Sequence, residues 1–113
     1  MSHEISPIYA IGDVHGRSDL LAKIISFIER NAQRSDRRPR VFFLGDLVDR
    51  GPDSCGVLRL ASDTLQRWPG SRLILGNHDY MLRDALTERR HVFPWLQSGG
   101  VATLTFLCNV PAV

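Results

Sequence analysis

Lysine is all but missing from this 113-residue chain: Lys23 stands alone, and arginine carries the rest of a formal net charge of only +2. A balance that small gives no electrostatic footprint for a nucleic-acid partner. Cysteine is nearly as scarce. Cys55 and Cys108 are the only two, and they read as free, core-type thiols in a reducing compartment rather than as a pair. No long hydrophobic run is present, since the apolar tract at 101–107 falls far short of the ~20 residues a membrane span needs. The opening Met-Ser-His-Glu-Ile-Ser-Pro is polar and runs directly into a strand, so no signal peptide is read there. The expectation is a soluble, cytoplasmic chain with no membrane partner.

What is present describes a globular protein. At 43% hydrophobic and 23% charged residues the composition is that of one ordinary domain, taken as 1–113. A domain of this length buries about two thirds of its unfolded surface.

The chain is organised around residues 41–52, Val-Phe-Phe-Leu-Gly-Asp-Leu-Val-Asp-Arg-Gly-Pro. Its first four residues predict a strand at 41–44 buried on both faces, as a central parallel strand is. Asp46 then stands at the carboxyl end of that strand, where open α/β sheets build ligand sites. Asp46, Asp49 and Arg50 crowded there are poor core filler, because unpaired buried charge costs several kcal/mol. A metal ion and a phosphate would resolve the conflict.

Around this stretch the periodicity predicts a β-α-β-α-β-α order. The first strand is Ile8–Ile11, ending in Gly12-Asp13-Val14-His15-Gly16. Ser18 is expected to cap a first helix running to about Gln33, with Leu20, Leu21, Ile24, Ile25 and Ile28 on its core face. A charged connector at 34–40 leads to the central strand. Asp53 or Ser54 caps a second helix with a stripe of Val57, Leu58, Leu60, Ala61 and Leu65. Residues 73–75 form the third strand, ending in Gly76-Asn77-His78-Asp79, and a third helix bearing Met81, Leu82, Ala85 and Leu86 ends near Arg89 and Arg90. Beyond Trp95, periodicity leaves helix and strand both open. The polar strand ends lie roughly 30 residues apart, the length of one βαβ unit, and right-handed crossovers bring all three to the same edge of the sheet. Asp13, His15, Asp46 and Asn77 then supply carboxylate, imidazole and amide-oxygen ligands, a set suited to Mn, Fe, Zn or Ni. The lack of a thiolate argues against a structural zinc site.

The blocks Gly12-Asp13-Val14-His15-Gly16, Gly45-Asp46-Leu47-Val48-Asp49-Arg50-Gly51 and Gly76-Asn77-His78-Asp79 resemble the three signature blocks of the calcineurin-like metallophosphoesterases. The middle block is similar to that of the phosphoprotein phosphatase branch, especially its bacterial serine/threonine phosphatases. Trp95-Leu96, Gly99-Gly100 and Thr103-Leu104 resemble a segment of the bacterial branch.

The resemblance implies an αββα sandwich and two divalent metal ions, manganese foremost, about 4 Å apart. Asp13 and His15 would bind one ion, Asp46 would bridge both and Asn77 would bind the second, with a bridging hydroxide attacking phosphorus. His78 would protonate the leaving group, Asp49 would orient its ring, and Arg50 would clamp phosphate oxygens with its planar fork. The implied substrate is a phosphorylated protein.

Two departures qualify the match. Leu75 and Asp79 stand where the branch usually has arginine and glutamate, and Leu-Gly-Asn-His-Asp with Arg-Gly-Pro-Asp-Ser at 50–54 also resembles the symmetrical diadenosine tetraphosphatases. A dinucleoside polyphosphate therefore stays open as substrate, although those enzymes often lack a carboxylate at the position of Asp49. Second, the family draws two further histidine ligands from a downstream half. His3 and His91 are the only other histidines, and neither follows a recognisable strand. The expectation is an N-terminal half of such an enzyme, its second sheet largely missing, with an inactive metal- or partner-binding fragment as the third reading.

Overall fold

The computed structural model describes residues 6–108, with side chains to residue 105. It is a mixed α/β structure in which three parallel strands, β1 (Ile8–Ile11), β2 (Arg40–Phe43) and β3 (Arg72–Leu73), lie in the order β1-β2-β3. Ile8 pairs with Arg40 and Ile11 with Phe43, while Phe42 and Phe43 pair with Arg72 and Leu73. Helix α1 (Ser18–Ala32) crosses from β1 to β2, and α2 (Ser54–Arg67) from β2 to β3. After β3 come α3 (Asn77–Thr87), a 3₁₀ turn at Arg89–His91, the short α4 (Val92–Trp95), a wide turn at Leu96–Gly100 and α5 (Val101–Cys108).

Two right-handed crossovers stepping in one direction put both helices on one face of the sheet. Ile11, Val41 and Phe43 point to that face and pack with Leu21 and Ile28 of α1 and Val57 and Ala61 of α2. This corrects the expectation of a β2 buried on both faces. Val41 and Phe43 are sealed, but Phe42 is half-buried and Leu44 half-exposed. Ile8, Leu44 and Ile74 lie on the uncovered face with Phe42, where the Arg40 guanidinium stacks over the Phe42 ring at 5.2 Å. Among the described residues this is the one sheet.

Other local expectations are corrected. Ser18 does not cap α1, whose N-cap is Arg17 without a side-chain bond; the Ser18 hydroxyl instead donates to Asp53 Oδ2 at 2.6 Å. Asp53 is the cap of α2, accepting from the Gly56 N–H at 2.9 Å. These two bonds pull the Asp53 carboxyl below its usual range, the Ser18 bond most. The proposed core stripe of α1 splits, with Leu21 and Ile28 inside and Leu20 and Ile24 exposed. Leu58 and Leu86 are exposed as well. Residues 101–108, open to either reading in sequence, are helical. Cys55 is a free, half-buried thiol rather than a core one; the Cys108 side chain and His3 lie outside the described groups. No helix among the described residues is long and apolar enough to cross a membrane.

Candidate metal centre

Two backbone loops, each following a strand, are zipped together at the carboxyl edge of the sheet. The His15 N–H donates to the Asp46 carbonyl at 2.9 Å, and the Gly16 N–H to the Leu47 carbonyl at 2.8 Å. The Asp53 N–H returns to the Gly16 carbonyl at 2.9 Å. Approach is close enough that a Cβ on Gly51 would lie 1.9 Å from the His15 carbonyl oxygen. Only glycine fits there.

The backbone of these loops is unusual at the residues that matter. Asp13, His15, Asp46, Asp49 and Arg50 all take left-handed φ, between 42° and 75°. Such conformations are disfavoured in residues with a Cβ, at about 1–3 kcal/mol each, and they gather at functional sites. All five belong to the predicted site, and no feature of local sequence announces the strain.

Asp13, His15 and Asp46 converge: one ligand atom from each lies within 4.8 Å of the others. Asp13 is exposed, His15 and Asp46 half-buried. His15 Nδ1 sits 3.0 Å from the Val48 carbonyl, so that nitrogen carries the proton and Nε2 keeps its lone pair for a cation. Asp46 Oδ1 accepts from the His78 N–H at 3.0 Å, which fixes the carboxylate plane. Two carboxylates and one correctly tautomerised imidazole fit a divalent ion of the Mn, Fe, Zn or Ni kind.

Asn77 opens α3 beside this group. The preceding Gly76 abuts Asp46 so tightly that a Cβ there would stand 2.6 Å from Asp46 Oδ1. The junction is held by Asp79, a residue whose role the sequence did not disclose. Its Oδ2 accepts from the N–H groups of Asp46 (2.7 Å) and Gly76 (2.9 Å), and its Oδ1 from that of Leu47 (2.9 Å). Reaching back from the third helical position to the N-cap N–H is half of a capping box, the only cue that could have found it.

The second polar group is buried. Asp49 is fully buried and His78 nearly so, with His78 Nδ1 3.0 Å from Asp49 Oδ2. The Trp95 indole N–H donates to both Asp49 oxygens at 3.0 and 2.9 Å, and the Thr103 hydroxyl to Oδ1 at 2.8 Å. The His15 and His78 rings meet edge to face, centroids 5.0 Å apart. Arg50 is exposed, its N–H held by the Gly99 carbonyl at 3.0 Å, and among the described residues its guanidinium enters no ion pair. Leu75 turns into an apolar cleft with Leu47, Leu58 and Leu82. His91 lies in the 3₁₀ turn, 3.8 Å from Glu88, and is not part of the cluster.

The sequence model of the family described as calcineurin-like phosphoesterase matches residues 6–111. Over 76 residues the chain is 41% identical to a symmetrical bis(5'-nucleosyl)-tetraphosphatase of Legionella pneumophila (strain Corby), an alignment covering 67% of this chain and 25% of that protein. It is 32% identical over 93 residues to serine/threonine-protein phosphatase 1 of Salmonella typhimurium, covering 82% of this chain and 38% of the relative. The chain thus spans between a quarter and two fifths of the length of these relatives.

Proposed function

The chain belongs to the calcineurin-like phosphoesterase family, and from that premise we propose that it serves metal-dependent hydrolysis of phosphate monoesters, of the serine/threonine protein phosphatase type. The observation that carries this reading is the convergence of Asp13, His15 and Asp46 within 4.8 Å, on strained backbone, beside a buried histidine–aspartate pair. In this reading Asp13 and His15 would hold one divalent ion, Asp46 would serve both and Asn77 would help hold a second. Manganese is the first choice, with iron, zinc or nickel also matching the donors. The chemistry such ions supply, when bound, is activation of water for in-line attack on phosphorus and relief of the charge that gathers there.

The chain's own residues do the rest. Arg50 presents a planar, exposed fork to the phosphate oxygens. As the P–O bond breaks, the bonding pair stays on the leaving oxygen and the Nε2 proton of an imidazolium His78 moves to it. The ring keeps its Nδ1–H on Asp49 throughout. General acid help of this kind is typically worth about 10²- to 10⁴-fold.

A second reading has specific support: the identity to the Legionella tetraphosphatase and the run Leu75-Gly76-Asn77-His78-Asp79 both favour a dinucleoside polyphosphate. The buried Asp49–His78 pair favours the monoester, because an alcohol leaves as a strong base and needs a proton. A nucleoside diphosphate leaves as a weak base and needs none. The test is an assay of the chain with manganese on a phosphothreonine peptide and on diadenosine tetraphosphate. Phosphate from the peptide is the expected result; ADP from the dinucleotide alone would transfer the assignment to the second reading. Hydrolysis of neither, with one ion or none bound, would leave a metal-binding segment.

A further inference from the structure

The resemblance marked Trp95, Gly99, Gly100 and Thr103 without giving them a task, and each touches the Asp49–Arg50 corner or packs against a residue that does. We propose that residues 95–103 form a positioning strap that holds the Asp49 carboxylate, and through it the His78 ring, in the one orientation able to hand a proton to a leaving group. Trp95 and Thr103 are its positioning residues. The inference rests on the reading of His78 as proton donor and extends it to residues distant in sequence.

Hydrogen-bond arithmetic supports the assignment. Asp49 is wholly buried, and a buried carboxylate is tolerated only when its lone pairs are occupied. Indole nitrogen is a donor only, so both Trp95 contacts run toward Asp49. The single Thr103 proton goes to Asp49 Oδ1 at 2.8 Å. Between the Thr103 and Ser54 hydroxyls, 2.9 Å apart, Ser54 is therefore the donor. Both hydroxyls accept from the Asp49 N–H, at 3.0 Å for Ser54 and 3.1 Å for Thr103. Only one carboxylate position remains, and His78 Nδ1 takes it.

The glycines of the strap have matching reasons. Gly99, at φ 111°, aims its carbonyl at the Arg50 N–H, and a Cβ there would press on Arg50 Cγ at 2.8 Å. At Gly100 a Cβ would stand 2.3 Å from Trp95 Cε2, so the indole could not lie flat against the backbone. The chain kinks at Gly99 within Leu96–Gly100, between the helical turn that carries Trp95 and the helix that carries Thr103. It brings Trp95 and Thr103 to one carboxylate.

Ligand-free nitrogen-15 spectroscopy of the full chain, labelled at histidine, reads the strap directly. The neutral His78 ring is expected to sit as the single Nδ1–H tautomer in the natural chain. In Thr103→Val and in Trp95→Phe it is expected to drift toward the Nε2–H form that an unheld imidazole prefers, while Thr103→Ser restores the original signal. Thr103→Val keeps the side-chain shape, so it reports even if Trp95→Phe does not fold. An unchanged His78 tautomer in folded Thr103→Val would overturn the strap. On the manganese-loaded chain, Thr103→Val should lower kcat for phenyl phosphate about 10-fold and leave 2,4-dinitrophenyl phosphate, whose leaving group needs no proton, nearly untouched. Equal losses on both substrates would also refute it. Lack of hydrolysis by the natural chain itself would count against the proposed function, and the tautomer signal would still decide the strap.

Discussion

Two aspartate–histidine groups stand with their imidazole rings 5.0 Å apart, built from the same residue types in different surroundings. In the first, Asp13, His15 and Asp46 are open to solvent to differing degrees, and one ligand atom of each lies within 4.8 Å of the others. In the second, Asp49 and His78 are buried and every lone pair of the carboxylate faces a donor. Three like or lone-pair-bearing groups left converging invite a cation; a carboxylate already saturated by N–H and O–H donors does not. Environment, not composition, separates the two groups.

The comparison breaks most visibly at Asp46. Asp46→Asn should abolish metal-dependent hydrolysis and weaken manganese binding at least about 100-fold, read by calorimetric titration and phosphate release; activity retained at saturating manganese would remove Asp46 from its shared position. Next in size, His78→Ala should cut turnover about 100-fold or more while bound metal stays constant by elemental analysis. A parallel loss of metal would merge the two groups into one.

Asp79 sharpens the picture from outside both. Asp79→Asn keeps the size but turns an amide N–H₂ toward backbone donors now held by a carboxylate. It should cost about 1–3 kcal/mol of stability in urea unfolding and loosen metal binding by about 10-fold. Asp79→Glu measures whether reach matters as well as charge.

The smallest effect lies at the foot of the helices. The Ser18 hydroxyl and the Gly56 N–H lower the Asp53 carboxyl in the folded chain. A lowered folded value means that the stabilisation is complete above the ordinary carboxylate range and fades as pH falls below it. Asp53→Asn should therefore lower thermal stability slightly at neutral pH and flatten the acid limb, the two proteins converging as pH falls below the carboxylate range. An identical acid limb in both proteins would contradict the link.

Much of this was legible in the linear chain. Strand ends about 30 residues apart placed Asp13, His15 and Asp46 at one edge, because a parallel sheet with right-handed crossovers has no other way to arrange them. The helical faces were less legible. Leu20 and Ile24 read as core in sequence and are exposed, since periodicity reports a stripe without saying how wide a face the neighbours will cover. Residues 101–107 gave no decision at all, because a short apolar run satisfies both periods.

The sequence by itself determined the order of elements, the strand-end polar residues and the family, all consequences of local pattern and spacing. Only the tertiary structure decided that Asp79 binds three backbone N–H groups from two loops, that five site residues hold left-handed backbone, and that Trp95 and Thr103 close over a carboxylate 46 and 54 positions away. The physical reason is the same in each case. Hydrogen-bond partners and strain are set by which distant atoms meet, and one-dimensional spacing carries no record of that meeting.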